Sequence, residues 1–232
     1  MEITFENKRK RMVDEIREEV TYTRHMIHRD TLSQRVIDAM MAVPRHEFVP
    51  PDMQTYAYAN EPLPIGNGQT ISQPYIVAIM TELLEPESHH IVLEAGTGSG
   101  YQAAVLSQLV KTVYTVETIA ALGEEAARRL QKLGYDNVVI RTGDAWFGWP
   151  EHAPYDSIIV TAAAPMIPPP LIDQLKRGGR MVVPLGSRFG QDLVLLRKDM
   201  DGKITTEVLL PVAFVPLTGD HLTPRTPDDS PR

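Results

Sequence analysis

Hydrophobic and polar positions change period along this chain, and the changes mark out its elements. Met12, Ile16 and Val20 recur at helical spacing, which predicts an N-terminal helix with the basic run Lys8-Arg9-Lys10-Arg11 on its solvated face. Val36, Ile37, Met40 and Met41 share one face of a second helix, over Thr31 to Ala42, that stops before Pro44. A long turn-rich stretch, Pro44 to Pro74, separates these helices from the rest, and Pro74 is suited to start the next helix. From Ile91 onward short apolar runs alternate with amphipathic ones. Ile91 to Leu93 reads as a buried strand, Tyr101 to Val110 as a helix, and Thr112 to Val116 as a second strand. Ile119 to Leu133 reads as a helix with Glu124 and Glu125 four residues before Arg128 and Arg129 and with Gly134 as its C-cap. Asn137 to Arg141 is a third strand; others follow near Met181 to Val183 and Leu193 to Leu196, and a final pair includes Val208 to Val215. This alternation predicts an α/β fold with a doubly wound, mostly parallel sheet and an N-terminal helical segment, while leaving the order of the last strands open.

The strand-to-helix turn VLEAGTGSG, Val92 to Gly100, carries the most chemistry. Three glycines at alternate positions, Gly96, Gly98 and Gly100, allow positive φ and a close backbone approach to a ligand. The dinucleotide fingerprint is G-x-G-x-x-G, but here Tyr101 stands in the place of its third glycine, and no P-loop lysine is present. The acid before the turn, Glu94, suits a ligand with a cationic amino-acid portion better than a pyrophosphate. The pattern resembles the first motif of S-adenosylmethionine-dependent methyltransferases. Glu117 ends the second strand about 20 residues past the first glycine, where an acid can accept both ribose hydroxyls. Its structural alternative is a helix N-terminal acid favoured by the dipole. Thr142-Gly143-Asp144 ends the third strand, where Asp144 can accept an adenine amino group or serve as a turn aspartate.

Composition narrows the classes. A chain of 232 residues suits one large domain. The absence of cysteine excludes disulfides, thiolate metal sites and a cysteine nucleophile. A formal net charge of −7 argues against nucleic acid as a main partner. No apolar run approaches the length of a membrane span and no signal peptide is legible, so a soluble cytoplasmic protein is expected. His25 and His28, and His89 and His90, lack further ligands at fixed spacing, so no metal is expected.

The second unusual stretch is PIGNGQTISQPY, Pro64 to Tyr75, a polar loop before the Pro74 helix. Ser72 sits where it can cap that helix, and a helix N-terminus with a free hydroxyl is also a carboxylate-binding site. PIGNGQTISQPYIVAIMTELL, VLEAGTGSGYQAAVLSQL, GDAWFGWP, YDSIIVTAAAP, LKRGGRMVVPLG and FVPLTG, with the upstream AVPRHEFVP, are similar in order and spacing to the protein-L-isoaspartate O-methyltransferase family. The similarity covers about Asp30 to Gly219.

That resemblance implies a Rossmann-like methyltransferase fold, S-adenosyl-L-methionine as cofactor and damaged proteins and peptides as substrates. Such enzymes esterify the free α-carboxylate of an isoaspartyl residue; the ester closes to a succinimide that reopens partly to aspartate. By the same resemblance Ser72 is the active-site serine, and Gln69, Thr70, Ile71 and Ser72 form a loop contacting cofactor and substrate. Glu94, Gly96, Thr97, Gly98, Glu117, Gly143 and Asp144 fall at cofactor positions. Val215, Pro216 and Leu217 fall on a segment that pairs with the substrate backbone, and Thr218 lies beside the methionine end of the cofactor. A monomer is implied. The expected organisation is helices and substrate loop over 1–74, a cofactor-binding core over 75–218, and a disordered proline-rich tail over 219–232.

Three rivals share parts of this pattern. A nucleic-acid adenine methyltransferase would carry a [DNS]-P-P-[YFW]-like motif after the fourth strand, where this chain has Thr161-Ala162-Ala163-Ala164-Pro165. A small-molecule O-methyltransferase lacks the PIGNGQTISQP block, and a cofactor-binding relative without catalysis would not need Ser72. Trp146 and Trp149 suit either an adenine wall or packing. Asn67-Gly68 is an open pair of the kind that deamidates, so self-damage within the substrate loop is an expectation.

Overall fold

In the computed structural model, which describes residues 4–187 and 189–219, the apolar runs of the middle of the chain become the centre of a seven-stranded sheet. Two short strands come first, β1 (Leu63–Gly66) and β2 (Gln69–Ile71), paired as a hairpin apart from the main sheet. The main sheet comprises β3 (Ile91–Ala95), β4 (Thr112–Glu117), β5 (Val138–Thr142), β6 (Tyr155–Val160), β7 (Leu175–Ser187), β8 (Gly190–Lys198) and β9 (Ile204–Val212). Their order is β5-β4-β3-β6-β7-β8-β9, parallel from β5 to β7 and antiparallel from β7 to β9. Val92 and Leu93 on β3 and Ile158 and Ile159 on β6 point to opposite faces and are all fully buried. Both faces of the sheet are therefore covered, as parallel strands with near-continuous apolar runs require. The strand order reverses at β3, flanked by β4 on one side and β6 on the other, and such a reversal opens a crevice at the carboxyl ends of the strands.

The helices are α1 (Phe5–Ile27), α2 (Gln34–Ala42), α3 (Pro74–Leu83), α4 (Tyr101–Ser107), α5 (Ala120–Lys132) and α6 (Pro169–Gln174). Met12, Ile16 and Val20 bury the inner stripe of α1 against α3, α2 and β9. Its basic run is only partly solvated: Arg9 turns inward and donates to Met41 O at 2.6 Å and to Tyr58 Oη at 3.1 and 3.2 Å. α2 starts three residues later than its pattern predicts, because Ser33 takes the N-cap and accepts the Val36 N–H. α4 closes at Ser107, so Leu109 and Val110 belong to the turn leading into β4.

Two corrections matter for the site. The stretch 44–74 holds short 3₁₀ turns at Arg45–Phe48 and Pro51–Tyr56 followed by the β1–β2 hairpin. Asn67 and Gly68 form its two-residue turn with φ of 51° and 71°, the positive pair that the twist of a tight hairpin demands. Gln69, Thr70 and Ile71 therefore lie on a strand, where a loop was expected. At the other end β9 stops at Val212, and the chain continues to Val215–Leu217, whose Pro216 bridges Ala163 just past β6.

Arg45, completely buried, ties these parts together. It donates to Ala57 O at 2.8 Å and lies over the Tyr101 ring, 4.8 Å from its centroid, at the start of α4. Among the described residues no helix is long and apolar enough to cross a membrane. Of the expected disordered tail, residues 220–232 lie outside the described part of the chain.

Candidate active site

Two adjoining clefts open where the strand order reverses. The first runs over the glycine turn between β3 and α4 and along the ends of β4 and β6. The second lies between α1, the start of α3 and the segment after β9. Four residues line both: Thr70, Ser72, Thr161 and Val215. The junction of the clefts is thus made by the end of β2, the end of β6 and the strand-like segment after β9.

The glycine turn forms the floor of the first cleft. Gly96 has φ of +106°, and an added Cβ would collide with Thr161 Oγ1, which donates to the Ala95 and Gly96 carbonyls. At Gly98 an added Cβ would meet only Ile65 Cδ1, at 3.6 Å, so backbone itself is the wall there. Glu117 is buried at the same wall. One of its oxygens accepts the Gly98 N–H at 2.7 Å and the other the Ile119 N–H at 2.9 Å. Its carboxylate thereby braces the turn and the start of α5, and each oxygen keeps a further lone pair for a ligand hydroxyl.

Ser72 does not cap α3. Gln73 occupies the N-cap with no side-chain cap bond, and Pro74 takes the first turn, where its missing N–H costs nothing. Ser72 is half-buried, its hydroxyl makes no hydrogen bond among the described residues, and the residue lines both clefts. Val215–Leu217 is pinned beside it: Ala163 N donates to Val215 O and Leu217 N to Ala163 O, both at 2.8 Å. Thr218 O accepts from Thr118 Oγ1 at 3.1 Å, which fastens the far end of that segment to the end of β4.

Of the residues expected at the cofactor, Gln69, Thr70, Ile71, Gly96, Thr97, Gly98, Glu117 and Thr218 all line the first cleft. Glu94, Gly143 and Asp144 do not. Asp144 caps the 3₁₀ turn Ala145–Phe147 through the Trp146 N–H, and its neighbour Ala145 reaches the wall instead. Trp149 packs edge-on against Tyr114 and beneath Arg141, and neither tryptophan lines the cleft. Among the wall positions that escaped the sequence reading are Thr118, Ile119 and Thr161, each just past a strand end that the pattern does locate. Glu87, His89 and His90 gather in the turn before β3 with potential ligand atoms within 4.8 Å of one another.

Glu94 is wholly buried beneath the turn, where Oε2 accepts from Thr115 Oγ1 at 2.6 Å and Oε1 has no partner among the described residues. Burial pushes its carboxyl up to about 8, and the neighbouring Glu117 adds to this while the Thr115 hydrogen bond opposes it. From an unfolded value near 4.5 to about 8, the folded chain holds a proton that the unfolded chain has lost. The contribution of this group to stability is full below that range and is lost as pH rises through it. Urea unfolding from pH 5 to 8 is therefore expected to show a downward component that Glu94→Gln removes. Parallel profiles for the two proteins would place the titration elsewhere.

Comparison with known proteins gives a consistent result. The family model described as Protein-L-isoaspartate(D-aspartate) O-methyltransferase (PCMT) matches residues 17–222. The chain is similar to Protein-L-isoaspartate O-methyltransferase 2 of Syntrophobacter fumaroxidans, at 59% identity over 92% of this chain and 87% of that one. It is also similar to the enzyme of the same description from a Polaromonas species, at 60% identity over 90% of this chain and all of the other. Among solved structures it resembles a protein-L-isoaspartate O-methyltransferase with a TM-score of 0.79 and 29% identity, over 91% of this chain and 66% of that longer one. A Plasmodium falciparum structure, a putative protein-L-isoaspartate O-methyltransferase in complex with S-adenosyl-L-homocysteine, shares the fold with a TM-score of 0.70 at 23% identity, over 88% of this chain and 97% of that one.

Proposed function

The chain belongs to the protein-L-isoaspartate(D-aspartate) O-methyltransferase family, and from that premise we propose that it methylates the free α-carboxylate of L-isoaspartyl residues in damaged proteins and peptides. The observation that carries this reading is the meeting of two clefts at an unpartnered hydroxyl, Ser72. The first cleft fits S-adenosyl-L-methionine: a side-chain-free floor at Gly96 and Gly98, an acid at Glu117, and apolar walls from Ile71, Val77, Ile119 and Ala162. When bound, that cofactor supplies an electrophilic methyl group on a cationic sulfur. Glu117 would receive the ribose hydroxyls, and Gly96, Thr97 and Gly98 would line the amino-acid portion. Glu94, Gly143 and Asp144 would act from behind the wall, holding the turn and the strand end in place. Thr218, pinned through Thr118, would close the methionine end.

The second cleft would take the peptide. An extended substrate can hydrogen-bond alongside Val215, Pro216 and Leu217, while Thr70, Ile71 and Ser72 hold its carboxylate at the junction. A carboxylate has a reference pKa near 4, so it arrives ionised and needs no general base. The two reacting groups carry opposite charges that cancel as the methyl moves. A strong cationic clamp on the carboxylate would favour the ground state over the transition state. A single neutral hydroxyl donor, which orients one oxygen without neutralising it, suits this reaction better. Alignment then supplies most of the acceleration, up to roughly 7–11 kcal/mol in favourable cases. The reading extends to a cytoplasmic monomer working on proteins and peptides, without nucleic acid or membrane.

The test is transfer of labelled methyl from S-adenosyl-L-methionine to one peptide made with isoaspartate and again with aspartate. Base-labile label on the isoaspartyl form alone is the expected result. Equal labelling of both, or of neither while cofactor still binds, would overturn the reading.

A further inference from the structure

Glu19 is the one charged side chain among the described residues that line the peptide cleft. It comes from the middle of α1, half-buried, and its position is set by two neutral amides. Asn60 Nδ2 donates to its Oε2 at 2.6 Å, and Gln73 Nε2 approaches the same oxygen at 3.2 Å. Asn60 in turn accepts the Tyr75 N–H at 3.0 Å, so the carboxylate is held against the first turn of α3. No cation pairs with it among the described residues, although seven other acidic side chains among them have a lysine or arginine partner. The same cleft has an apolar share of wall, Met26 from α1, Ile76 from α3 and Phe214 after β9, beside the neutral polar groups of Thr23, Gln73 and Tyr75.

An acid recessed among such groups, hydrogen-bonded by amides and left without a counter-ion, is half of an ion pair. A lysine or arginine side chain fits the other half, because its apolar stem can lie over Met26 and Phe214 while its cationic head reaches Glu19. Partial burial of Glu19 strengthens the pairing relative to a surface ion pair. It equally penalises a second carboxylate placed there. Resting on the isoaspartyl reading of the site, we propose that Glu19 forms a subsite that selects substrates with a basic residue close to the isoaspartate and disfavours those with an acidic one. The overall negative charge of the protein acts in the same direction at longer range.

The experiment uses the full chain and a set of isoaspartyl peptides that differ only in the residues flanking the isoaspartate: lysine, serine or glutamate at each of the two positions on either side. At one or more positions the KM of the lysine peptide is expected to fall about tenfold below that of the glutamate peptide, the size of one partly buried charge-assisted contact, with kcat little changed between them. Raising the salt concentration compresses this ratio in the wild-type enzyme. Glu19→Gln, which keeps both amide contacts within reach, is expected to bring it to within about twofold. Equal KM values at every position in the wild type overturn the subsite. So does a ratio that survives Glu19→Gln, or a variant whose kcat falls uniformly on all peptides with the ratio intact, since these mark Glu19 as support for α3 only. Anisotropy of fluorescent lysine and glutamate peptides reads the same preference without turnover. A chain that binds them unequally through Glu19 but methylates none keeps the subsite and loses the isoaspartyl reading.

Discussion

Gly96→Ala is expected to cost about 100-fold in affinity for S-adenosyl-L-methionine while the sheet still folds. Two physical terms act together. An alanine at φ of +106° lies outside the region open to L-residues, at a cost of about 1–3 kcal/mol. The new methyl also collides with Thr161 Oγ1, which must rotate away and give up its bonds to the Ala95 and Gly96 carbonyls, a loss of about 1 kcal/mol. Relief of either strain moves the floor of the cofactor cleft or the end of β6. Since Thr161 lines both clefts, the junction deforms as well. Calorimetric titration with S-adenosyl-L-methionine, together with a thermal melt, checks this. A lowered Tm with unchanged affinity would show that the turn supports the fold without shaping the cofactor site. Thr161→Ser in the Gly96→Ala background should recover little, because the clashing atom is the hydroxyl oxygen that serine retains.

The glycine turn, Glu117 and the succession of strands were legible because each is a local signal: a period, a run, a residue at a fixed offset from a strand end. The hairpin around Asn67-Gly68 was missed: an Asn-Gly pair between Ile65 and Ile71 marks a tight turn, but the surrounding polar residues gave the stretch the look of a loop. Ser72 met the statistical preference for a helix cap, and Gln73 stands in that place instead, which leaves the serine hydroxyl free of a cap bond where the clefts meet. Arg45 and Glu19 were out of reach for a different reason. A charged residue on a turn or on an amphipathic helix is normally solvated, and only tertiary packing puts Arg45 over Tyr101 and Glu19 against α3. The early part of β7 was hidden by Gly178-Gly179, which reads as a turn. In the fold it lies on an irregular strand whose register shifts between Tyr155–Leu175 and Ser157–Arg180. Antiparallel pairing of β7, β8 and β9 likewise depends on which edge the chain returns to, and hydrophobic period carries no information about that.

Ser72→Ala is expected to lower kcat by about 100-fold while the affinity for S-adenosyl-L-methionine changes less than threefold. The serine sits at the junction, whereas the glycine turn, Glu117 and the segment 215–218 wall the cofactor cleft away from it. Removing the hydroxyl leaves no strained backbone and no orphaned partner, because the group has no bond to lose among the described residues. What disappears is the orienting donor for one carboxylate oxygen. A misplacement of the reacting atoms by about 1 Å is enough for a loss of that size. Because the carboxylate is already ionised, the variant should keep the pH profile of the wild type above pH 6, in contrast to the loss of a general base. Cysteine at this position keeps a hydrogen-bond donor, but a weak one on a larger atom, and should recover only part of the rate. Steady-state kinetics on an isoaspartyl peptide, with cofactor binding measured separately, decides the matter. Equal losses in cofactor affinity and turnover would make Ser72 part of the cofactor wall, and an unchanged kcat would move the orienting role to Thr70, which also lines both clefts, the Thr161 hydroxyl being already engaged by backbone carbonyls.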